Sequence, residues 1–505
     1  MHKIELANIS RIHFVGIGGS SMSGLACFML NRGKMVSGSD SSNSTTADFL
    51  TSLGAAVNIP HDGEVIKKHN PELVVFTVAV RDDNPELLEA YRMGMPVIDR
   101  AEFLGLLMKD YRFGIAVAGT HGKTTTTSMI ASILVDNHLD PSIHIGGTLP
   151  LIGGNTKIGN SSYFVTEACE YHDSFLRLLP NIAVVLNVEH DHVDYFKTFE
   201  QFKNSFRDFV NLVPEDGCAV VCADDASALE ICADARCRVI TYGIDYGIDE
   251  QISPSTVTHA ENCRSWTARN IVFGPSGSAT YDLFHVGEAV CQVVLGTVGE
   301  HNVRNSLASI AAAFELGIKP SSCLESLLNF TGAKRRFEIK GFLNVEKDGV
   351  SGQVKVVDDY AHHPTEITTT LAAAKNSVRG LRDFRSLQDF RGLQSPAGRV
   401  ILAFQPHTYT RTRELMDLFA TSFGDADMVL LADIFASRES DPGNINSGML
   451  AEQINKSSNN CTYFKGQDGF EDIAAYIKSI MTPGDLVITM GAGDIYKVAD
   501  LLLNS

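Results

Sequence analysis

The stretch AVAGTHGKTTTTSMI, residues 116–130, is the feature that most constrains the fold. It follows a β-rich run and carries Gly-Lys-Thr where a helix is expected to begin, which is the context of a phosphate-binding loop. The common spacing G-x-x-x-x-G-K-[ST] requires a glycine at position 117, but the residue there is Val117. The sequence therefore indicates either a shortened loop, Gly119-x-x-Gly122-Lys123-Thr124, or a simple Gly-Lys turn.

A shortened loop of this kind predicts a site for ATP and Mg²⁺. Backbone N–H groups at a helix start bind phosphates, Lys123 adds a mobile charge, and the Thr124 hydroxyl is a magnesium ligand. Four consecutive threonines are poor helix starters, so hydroxyl groups facing a phosphate and a metal explain them better than helix propensity does. We therefore predict nucleotide contacts at Gly119, Thr120, His121, Gly122, Lys123, Thr124 and Thr125.

Acidic residues follow two further predicted strands. SYFVTEA leads to Glu167, and NIAVVLNVEHDH leads to a polar group that ends at His192. Carboxylates at strand ends beside a phosphate loop suit Mg²⁺, which prefers oxygen ligands. We predict that Glu167 and His192 lie at the metal, and a solvated polar loop is the alternative.

A glycine turn near the start, VGIGGSSMSG, predicts a second anion site. Gly16-x-Gly18 opens a dinucleotide pattern, but Ser21 stands at the third glycine position. Asp40 ends the second predicted strand, where a ribose-binding acid would lie. Both a nicotinamide nucleotide and a nucleotide-linked substrate remain open, and the predicted contacts are Gly18, Ser21, Ser23 and Asp40.

The C-terminal part carries DDYAHHPTE, QPHTYTRTRE and GAKRRF. His362, His407 and Arg411 follow strand-like runs and suit a carboxylate or a developing oxyanion. Helix capping and a zinc site built from His362, His363 and His407 are the alternatives. GAKRRF offers Arg335 and Arg336, and one of the two would suit a nucleotide phosphate reached across a domain cleft.

Alternating β-rich and helical runs predict an α/β protein of three domains. We expect a Rossmann-like domain over residues 1–108, a central P-loop ATPase-type domain over 109–329 and a Rossmann-like domain over 330–505. Strand-rich sequence after residue 250 indicates a small antiparallel appendage on the central domain. A six-residue repeat over residues 379–394 is interpreted as an inserted loop or irregular helix, with a partner-docking element as the alternative.

Composition excludes several partner classes. A formal net charge of −18 argues against non-specific binding to nucleic acid or anionic membranes. No apolar run approaches the roughly 20 residues of a membrane helix, and no signal-peptide pattern is seen, so we expect a cytoplasmic protein. Most of the ten cysteines are expected to be free thiols. Zinc pairs at Cys218/Cys222 and Cys232/Cys237 are the alternative.

Seven motifs occur together and in order: GTHGKTTTT, EACEYHDSFL, HNVRNSLA, KRRFE, DDYAHHPTE, FQPHTYTRT and GAGDI. In this the chain resembles the Mur ligases over essentially its whole length. The resemblance implies a monomer or weak homodimer that uses ATP and Mg²⁺. Its first domain would bind the UDP part of UDP-N-acetylmuramate, the second ATP, and the third L-alanine. A ligase that attaches a tripeptide to the same nucleotide sugar, an NAD-dependent oxidoreductase and a non-catalytic regulator are the alternatives.

The resemblance also implies roles for single residues. Lys123 would contact the γ-phosphate, and Thr124, Glu167 and His192 would bind metal ions. Asn302 and Asn305 would contact adenine, Asp359 the ribose and Arg336 a phosphate, while His362, His407 and Arg411 would bind and orient L-alanine. Many family members have an arginine where this chain has Thr408, which leaves more of the carboxylate binding to Arg411.

Overall fold

Three β-sheets follow one another along the chain in the computed structural model. It describes residues 4–193, 195–245, 265–274, 277–387, 398–466 and 468–504, with the side chains of 379–387 left aside. Each sheet is packed against helices, so the prediction of an α/β protein with three domains is confirmed. The exact boundaries at 108/109 and 329/330 stay predictions.

The first sheet is entirely parallel, in the order β3-β2-β1-β4-β5. Its strands β1–β5 are Arg11–Val15, Met35–Ser39, Ala56–Asn58, Leu73–Phe76 and Val97–Asp99. Its helices α1–α5 are Ser20–Asn31, Thr45–Ser52, Glu64–His69, Pro85–Arg92 and Arg100–Met108. Side-chain caps from Ser44, Asn84 and Asp99 fix the starts of α2, α4 and α5. Because β1 and β2 pair in parallel, their C-terminal ends meet at one edge of the sheet, shortly before α1 begins.

The central sheet has ten strands, in the order β15-β14-β13-β12-β11-β10-β6-β9-β7-β8. Strands β6–β15 are Phe113–Ala118, Ser142–Leu149, Gly154–Lys157, Tyr163–Glu167, Ile182–Val185, Cys218–Cys222, Arg238–Ile244, Trp266–Phe273, Ser278–His285 and Glu288–Val298. Helices α6–α10 are Lys123–Asp136, Phe199–Val210, Ala226–Ile231, Glu300–Glu315 and Leu324–Asn329. The antiparallel strands β13–β15 are the predicted appendage, and a parallel β12–β13 pair joins them to the edge of this sheet.

The third sheet has the order β16-β17-β21-β18-β19-β20. Strands β16–β21 are Glu338–Lys347, Val350–Asp359, Val400–Phe404, Met428–Leu431, Cys461–Tyr463 and Leu486–Met490. Helices α11–α16 are Pro364–Leu387, Tyr409–Glu414, Met416–Thr421, Ser447–Ser457, Gly469–Ile480 and Tyr496–Leu503. Only the β16–β17 hairpin is antiparallel. The six-residue repeat begins on α11, and its side chains and its end lie outside the described residues.

The described cysteines do not form metal pairs. All nine are free thiols, and none belongs to a potential metal-binding group among the described residues. Burial raises the pKa of Cys218 and of Cys232 to about 12, so both thiols stay protonated at neutral pH. None of the helices in the described ranges combines the length and apolar character needed to cross a membrane.

The first and central domains share one hydrophobic core. Phe28 on α1 packs against Phe164 on β9 with ring centroids 5.9 Å apart. A Cβ built on Gly24 would lie 2.2 Å from Thr156 Oγ1 and 3.1 Å from His144 Nδ1. The absence of a side chain at Gly24 therefore allows α1 to lie directly against β7 and β8.

We expect Gly24→Ala to lower the midpoint of thermal unfolding. Overpacking costs about 1–3 kcal/mol, and the better helix propensity of alanine offsets up to roughly 1 kcal/mol of that cost. Gly154→Ala is the control because a Cβ there meets open space. Adding Thr156→Ala to Gly24→Ala removes the clashing oxygen and is expected to restore part of the loss. A Gly24→Ala protein as stable as wild type would contradict this close packing.

Candidate active site

The phosphate loop lies at the centre of the ten-stranded sheet. β6 pairs with β10 on one side and β9 on the other, so residues 119–122 emerge between the ends of both neighbours. Gly119 has φ 149° and Gly122 has φ 84°, a region that favours glycine. Asn187 Oδ1 accepts the His121 backbone N–H at 2.8 Å. The Asn187 side chain thus fixes the loop between the end of β6 and the start of α6, which is the strand–loop–helix context of a phosphate loop.

Lys123 is held by buried negative charge. Its Nζ lies 3.0 Å from the Glu170 carboxylate and donates to the Thr120 carbonyl oxygen at 3.1 Å. Glu170 also lies 3.3 Å from His192 Nε2. Burial alone would lower the pKa of Lys123, but the charge of Glu170 and other neighbours outweighs it and raises that pKa. A charged ammonium is therefore ready beside the loop before any phosphate binds.

The predicted metal residues face one cavity of about 670 Å³. Thr124, Glu167 and His192 all line it, with Glu167 Oε1 accepting the Gly146 N–H at 2.8 Å. Cβ atoms on Gly146 and Gly147 would lie 3.1 Å from Glu167 Oε2 and 2.9 Å from Thr124 Cγ2. Gly146 and Gly147 thus leave space beside the Glu167 carboxylate and the Thr124 methyl group. The hydroxyl, carboxylate and imidazole that line this cavity are a donor set that fits a divalent cation.

A second cavity, of about 570 Å³, holds the predicted nucleoside contacts. It lies on the other side of the phosphate loop and shares His121, Gly122 and Arg336 with the first cavity. The predicted residues that line it are His121, Gly122, Thr125, Asn302, Asn305, Arg336 and Asp359. The structure therefore joins residues of the central and C-terminal domains into one continuous cleft.

Hydrogen bonds fix the nucleoside-cavity side chains. Asn302 Nδ2 donates to the Val298 carbonyl oxygen at 2.7 Å, and Asn305 Nδ2 donates to Asn302 Oδ1 at 3.0 Å. Asp359 Oδ2 accepts the Phe337 N–H at 2.7 Å. Burial raises the pKa of Asp359 to about 6 against the charge of Arg336. These polar groups are oriented before a ligand enters.

His121 links the phosphate loop to the C-terminal domain. Its Nδ1 lies 3.3 Å from Glu366 Oε1 and its Nε2 lies 3.4 Å from Glu189 Oε2. Burial alone would lower the pKa of His121, but the two carboxylates raise it to about 9. Thr365 Oγ1 donates to Glu189 Oε2 at 2.7 Å. At neutral pH, an imidazolium that lies between two carboxylates thus joins the two domains across the cleft, together with the neighbouring Thr365–Glu189 hydrogen bond.

The three residues that are predicted to bind the amino acid, His362, His407 and Arg411, form a chain of contacts that begins at the 670 Å³ cavity and is called the rim below. The His362 and His407 ring centroids are 5.6 Å apart, and Arg411 Nη1 lies 3.3 Å from His407 Nδ1. Arg411 Nη2 also donates to both Asp191 oxygens, at 3.2 and 3.3 Å. His362 lines the 670 Å³ cavity, while His407 and Arg411 line neither cavity. Thr408 caps α12 by accepting the Arg411 N–H.

His362 is a neutral acceptor in this structure. Burial lowers its pKa to about 3 against the charge of Glu366. Its Nδ1 lies 3.0 Å from the Tyr360 carbonyl oxygen, and since a carbonyl only accepts, Nδ1 carries the proton. Nε2 therefore holds the lone pair that is available to a ligand.

The predicted substrate residues of the first domain lie apart from both cavities. Asp40 Oδ2 accepts the Gly18 N–H at 2.9 Å and so stabilises the glycine turn itself. Ser21 Oγ lies 2.7 Å from His144 Nε2, and Ser23 Oγ donates to the Ser20 carbonyl oxygen. These bonds give Asp40 and Ser21 structural roles, and substrate binding by this turn stays a prediction.

Several site residues were not among the predicted ones. Glu170, Asp191 and Glu366 pair with Lys123, Arg411 and His121, although all three lie inside quoted motifs. Each partner is distant in sequence, so spacing alone gives no sign of the pair. An acid in the first turn of a helix is common, and that position is the one sequence signal that could have drawn attention to Glu366.

Comparison with known proteins identifies the family. The chain matches the Mur ligase family, catalytic domain, over residues 11–112, the Mur ligase middle domain over 117–313, and the Mur ligase, glutamate ligase domain, over 335–493. It is 46% identical to a UDP-N-acetylmuramate--L-alanine ligase of Acetivibrio thermocellus, over 97% of this chain and 95% of that protein.

Two solved structures extend the likeness to the fold. UDP-N-acetylmuramate-alanine ligase MurC from Thermotoga maritima matches with TM-score 0.74 and 25% identity, over 98% of this chain and 99% of that one. A murein peptide ligase from Psychrobacter arcticus matches with TM-score 0.64 and 25% identity, over 98% of both chains. The sequence motifs, the three sheets and the matched domains agree, and the chain belongs to the Mur ligase family.

Proposed function

We propose that the protein is an ATP-dependent ligase that joins L-alanine to the carboxylate of UDP-N-acetylmuramate, in the synthesis of peptidoglycan precursors. The observation that carries the proposal is a sequence identity of 44–46%, over 97–99% of this chain, to ligases of this name. The cleft supports it, because predicted nucleotide, metal and amino-acid residues lie around one phosphate loop.

ATP is proposed to span the two cavities. The nucleoside lies in the 570 Å³ cavity near Asn302, Asn305 and Asp359, and the phosphates follow the loop toward Lys123. Arg336 lines both cavities and supplies positive charge from the C-terminal domain. The γ-phosphoryl group then enters the 670 Å³ cavity, where His362 also lies.

The chemistry requires activation of a carboxylate, because oxide is a poor leaving group. A carboxylate oxygen of UDP-N-acetylmuramate attacks the γ-phosphorus, and the bond from that phosphorus to the β-phosphate oxygen breaks, giving ADP and an acyl phosphate. The alanine amine then attacks the acyl carbon, loses a proton, and phosphate departs. Lys123 and Arg336 offset the repulsion between the two anionic reactants and hold them in line.

Magnesium is proposed at Thr124, Glu167 and His192. When bound there, Mg²⁺ supplies positive charge that polarises the phosphoryl oxygens. The chain's own part is to keep Glu167 fixed by the Gly146 N–H and His192 beside Glu170.

L-alanine is proposed to bind at the rim formed by His362, His407 and Arg411. Arg411 is the cation for its carboxylate, since guanidinium donors match a carboxylate in geometry. The lone pair on His362 Nε2 accepts a hydrogen bond from the amine and so aims its nitrogen at the acyl carbon. The proposed role of His362 is therefore to orient the amine of L-alanine.

Closure of the C-terminal domain protects the acyl phosphate from water. The contacts of His121 with Glu366 and of Glu189 with Thr365 hold the two domains together over the reacting groups. Cytoplasmic location and a monomer or weak homodimer stay predictions.

Attachment of a tripeptide is the second candidate, and it is less well supported. The curated relatives are L-alanine ligases, and the MurC structure gives the higher TM-score of the two reported.

The test is phosphate release from ATP with Mg²⁺ and UDP-N-acetylmuramate, with L-alanine, with the tripeptide, or with neither. We expect release that depends on L-alanine and a product heavier by one alanyl residue. Lys123→Met is expected to lose about 10²–10³-fold in rate, because it removes a charge that acts on the transferring group. Release with the tripeptide alone would move the assignment to the second candidate.

His362→Ala is expected to lower L-alanine-dependent turnover and raise KM for L-alanine, because the acceptor for the amine is lost. His138→Asn is the matched control, since His138 is exposed and asparagine tolerates its φ of 60°. KM for ATP is expected to change little. Unchanged turnover in His362→Ala would remove the assigned role.

Closure is expected to weaken at alkaline pH. The folded-state pKa of His121, about 9, lies above its ordinary value of 6.5, so its stabilising effect is complete below pH 6.5 and is lost as pH rises through 9. The thermal unfolding midpoint of wild type should therefore exceed that of His121→Gln most at pH 6, and the gap should narrow by pH 10. A gap that stays constant over this range would show that His121 carries no charge in the folded protein.

A further inference from the structure

Three potential metal ligands that the proposed reaction does not use as such meet across the cleft. They are His121 in the phosphate loop, Glu189 after β10 and His363 just before α11, with ligand atoms all within 4.8 Å of one another. The His121 and His363 ring centroids are 4.7 Å apart. Two ligands thus come from the central domain and one from the C-terminal domain.

Three of the four ring nitrogens in this cluster make no hydrogen bond within the described part of the chain. His363 is 4% exposed, and its Nε2 is buried with no partner among the described residues. Both His121 ring nitrogens are near carboxylates, but neither makes a well-aligned hydrogen bond within the described part of the chain. A buried polar atom left unpaired costs about 1–3 kcal/mol, so His363 Nε2, which faces no carboxylate partner in the described ranges, is the atom most in need of a ligand.

The donor set selects the ligand. Two imidazoles and one glutamate match the three protein ligands of open zinc sites, whereas Mg²⁺ takes oxygen ligands. A tetrahedral zinc ion with bonds of about 2.0–2.2 Å places its ligand atoms roughly 3.4 Å apart, so atoms that now lie within 4.8 Å of one another need to close by up to about 1.4 Å. The His121 Nε2 to Glu189 Oε2 distance is already 3.4 Å.

Neighbouring groups hold the ligands in place. Thr365 Oγ1 donates to Glu189 Oε2 at 2.7 Å, and Asn187 holds the His121 backbone. Such outer partners orient metal ligands. The Glu189 side chain is 37% exposed and gives an ion a way in.

We propose that His121, Glu189 and His363 form a zinc site that ties the central and C-terminal domains together and so slows turnover. It is separate from the magnesium residues Thr124, Glu167 and His192. On binding, His121 gives up its imidazolium proton, and the His363 proton moves to Nδ1. His363 Nδ1 then loses the weak 3.3 Å bond that it accepts from the Thr365 N–H. The effect on turnover rests on the proposed function, whereas the binding does not.

Binding is tested on the full chain without substrates, in excess Mg²⁺. Equilibrium dialysis against Zn²⁺ measures affinity, and visible absorption of Co²⁺ reports a tetrahedral site. We expect His363→Asn and Glu189→Gln each to weaken Zn²⁺ binding at this site by at least about 100-fold, the upper end of what loss of an outer-shell partner costs. His138→Asn and Glu167→Gln are expected to keep wild-type affinity. Thermal unfolding checks that each variant is folded.

Zinc binding that persists unchanged in both His363→Asn and Glu189→Gln would overturn the site and point to cysteines or to the magnesium residues. The proposed site would also be overturned if Glu167→Gln were the one variant that lost Zn²⁺ binding, or if the wild-type protein bound no Zn²⁺. In the second arm, Zn²⁺ should slow L-alanine-dependent phosphate release by wild type, and His363→Asn should need at least about 100-fold more zinc, in line with its weaker binding. Equal zinc sensitivity of the two would refute the locking effect, and a protein without ligase activity would leave the binding arm intact.

Discussion

The imidazolium of His121, between Glu189 and Glu366, joins the phosphate loop to the C-terminal domain. This contact matters because each domain alone supplies only part of the cleft. The central domain brings Lys123 and Glu167, and the C-terminal domain brings Arg336 and His362. A charged side chain in the phosphate loop thus also joins the central domain to the C-terminal domain.

The cleft contains an unusual density of paired charges for a protein whose net charge is −18. Lys123 pairs with Glu170, and Arg411 pairs with Asp191. Burial acts to raise the pKa of Asp191, but the Arg411 guanidinium holds it well below its usual range. In the proposed reaction, anionic substrates replace these carboxylates as partners of the same cations. The carboxylates therefore neutralise Lys123 and Arg411 before substrates bind, which avoids the free-energy cost of an unpaired buried charge.

Much of the fold was predictable because parallel strands give apolar, β-branched runs that alternate with helices. β6, β10 and β11 are of this kind, and their ends brought Lys123 and His192 to one edge as expected. The strand pair β7–β8 was not predicted, because its glycines and polar residues do not follow that pattern. The extension β13–β15 was predicted as strands, but nothing in its sequence fixes the pairing of β12 with β13.

The sequence motifs were sufficient to predict which segments of the chain contribute to the candidate site. Asn302, Asp359 and Arg336 come from separate segments and line one cavity. The pairs of His121 with Glu366 and of Arg411 with Asp191 were not predictable, since they depend on how two domains meet. Roles for single residues stay predictions, including those of Gly18, Ser23 and Asp40, whose turn faces neither cavity.

Activation of the carboxylate as an acyl phosphate before L-alanine attacks would transfer one carboxylate oxygen to the released phosphate, and isotopic labelling detects that transfer. UDP-N-acetylmuramate labelled with ¹⁸O in both carboxylate oxygens would be incubated with ATP, Mg²⁺ and L-alanine, and the released phosphate analysed by mass spectrometry. We expect one ¹⁸O atom in each phosphate and one in the new amide. Amide product formed together with unlabelled phosphate, the second ¹⁸O atom having gone to water, would contradict activation as an acyl phosphate.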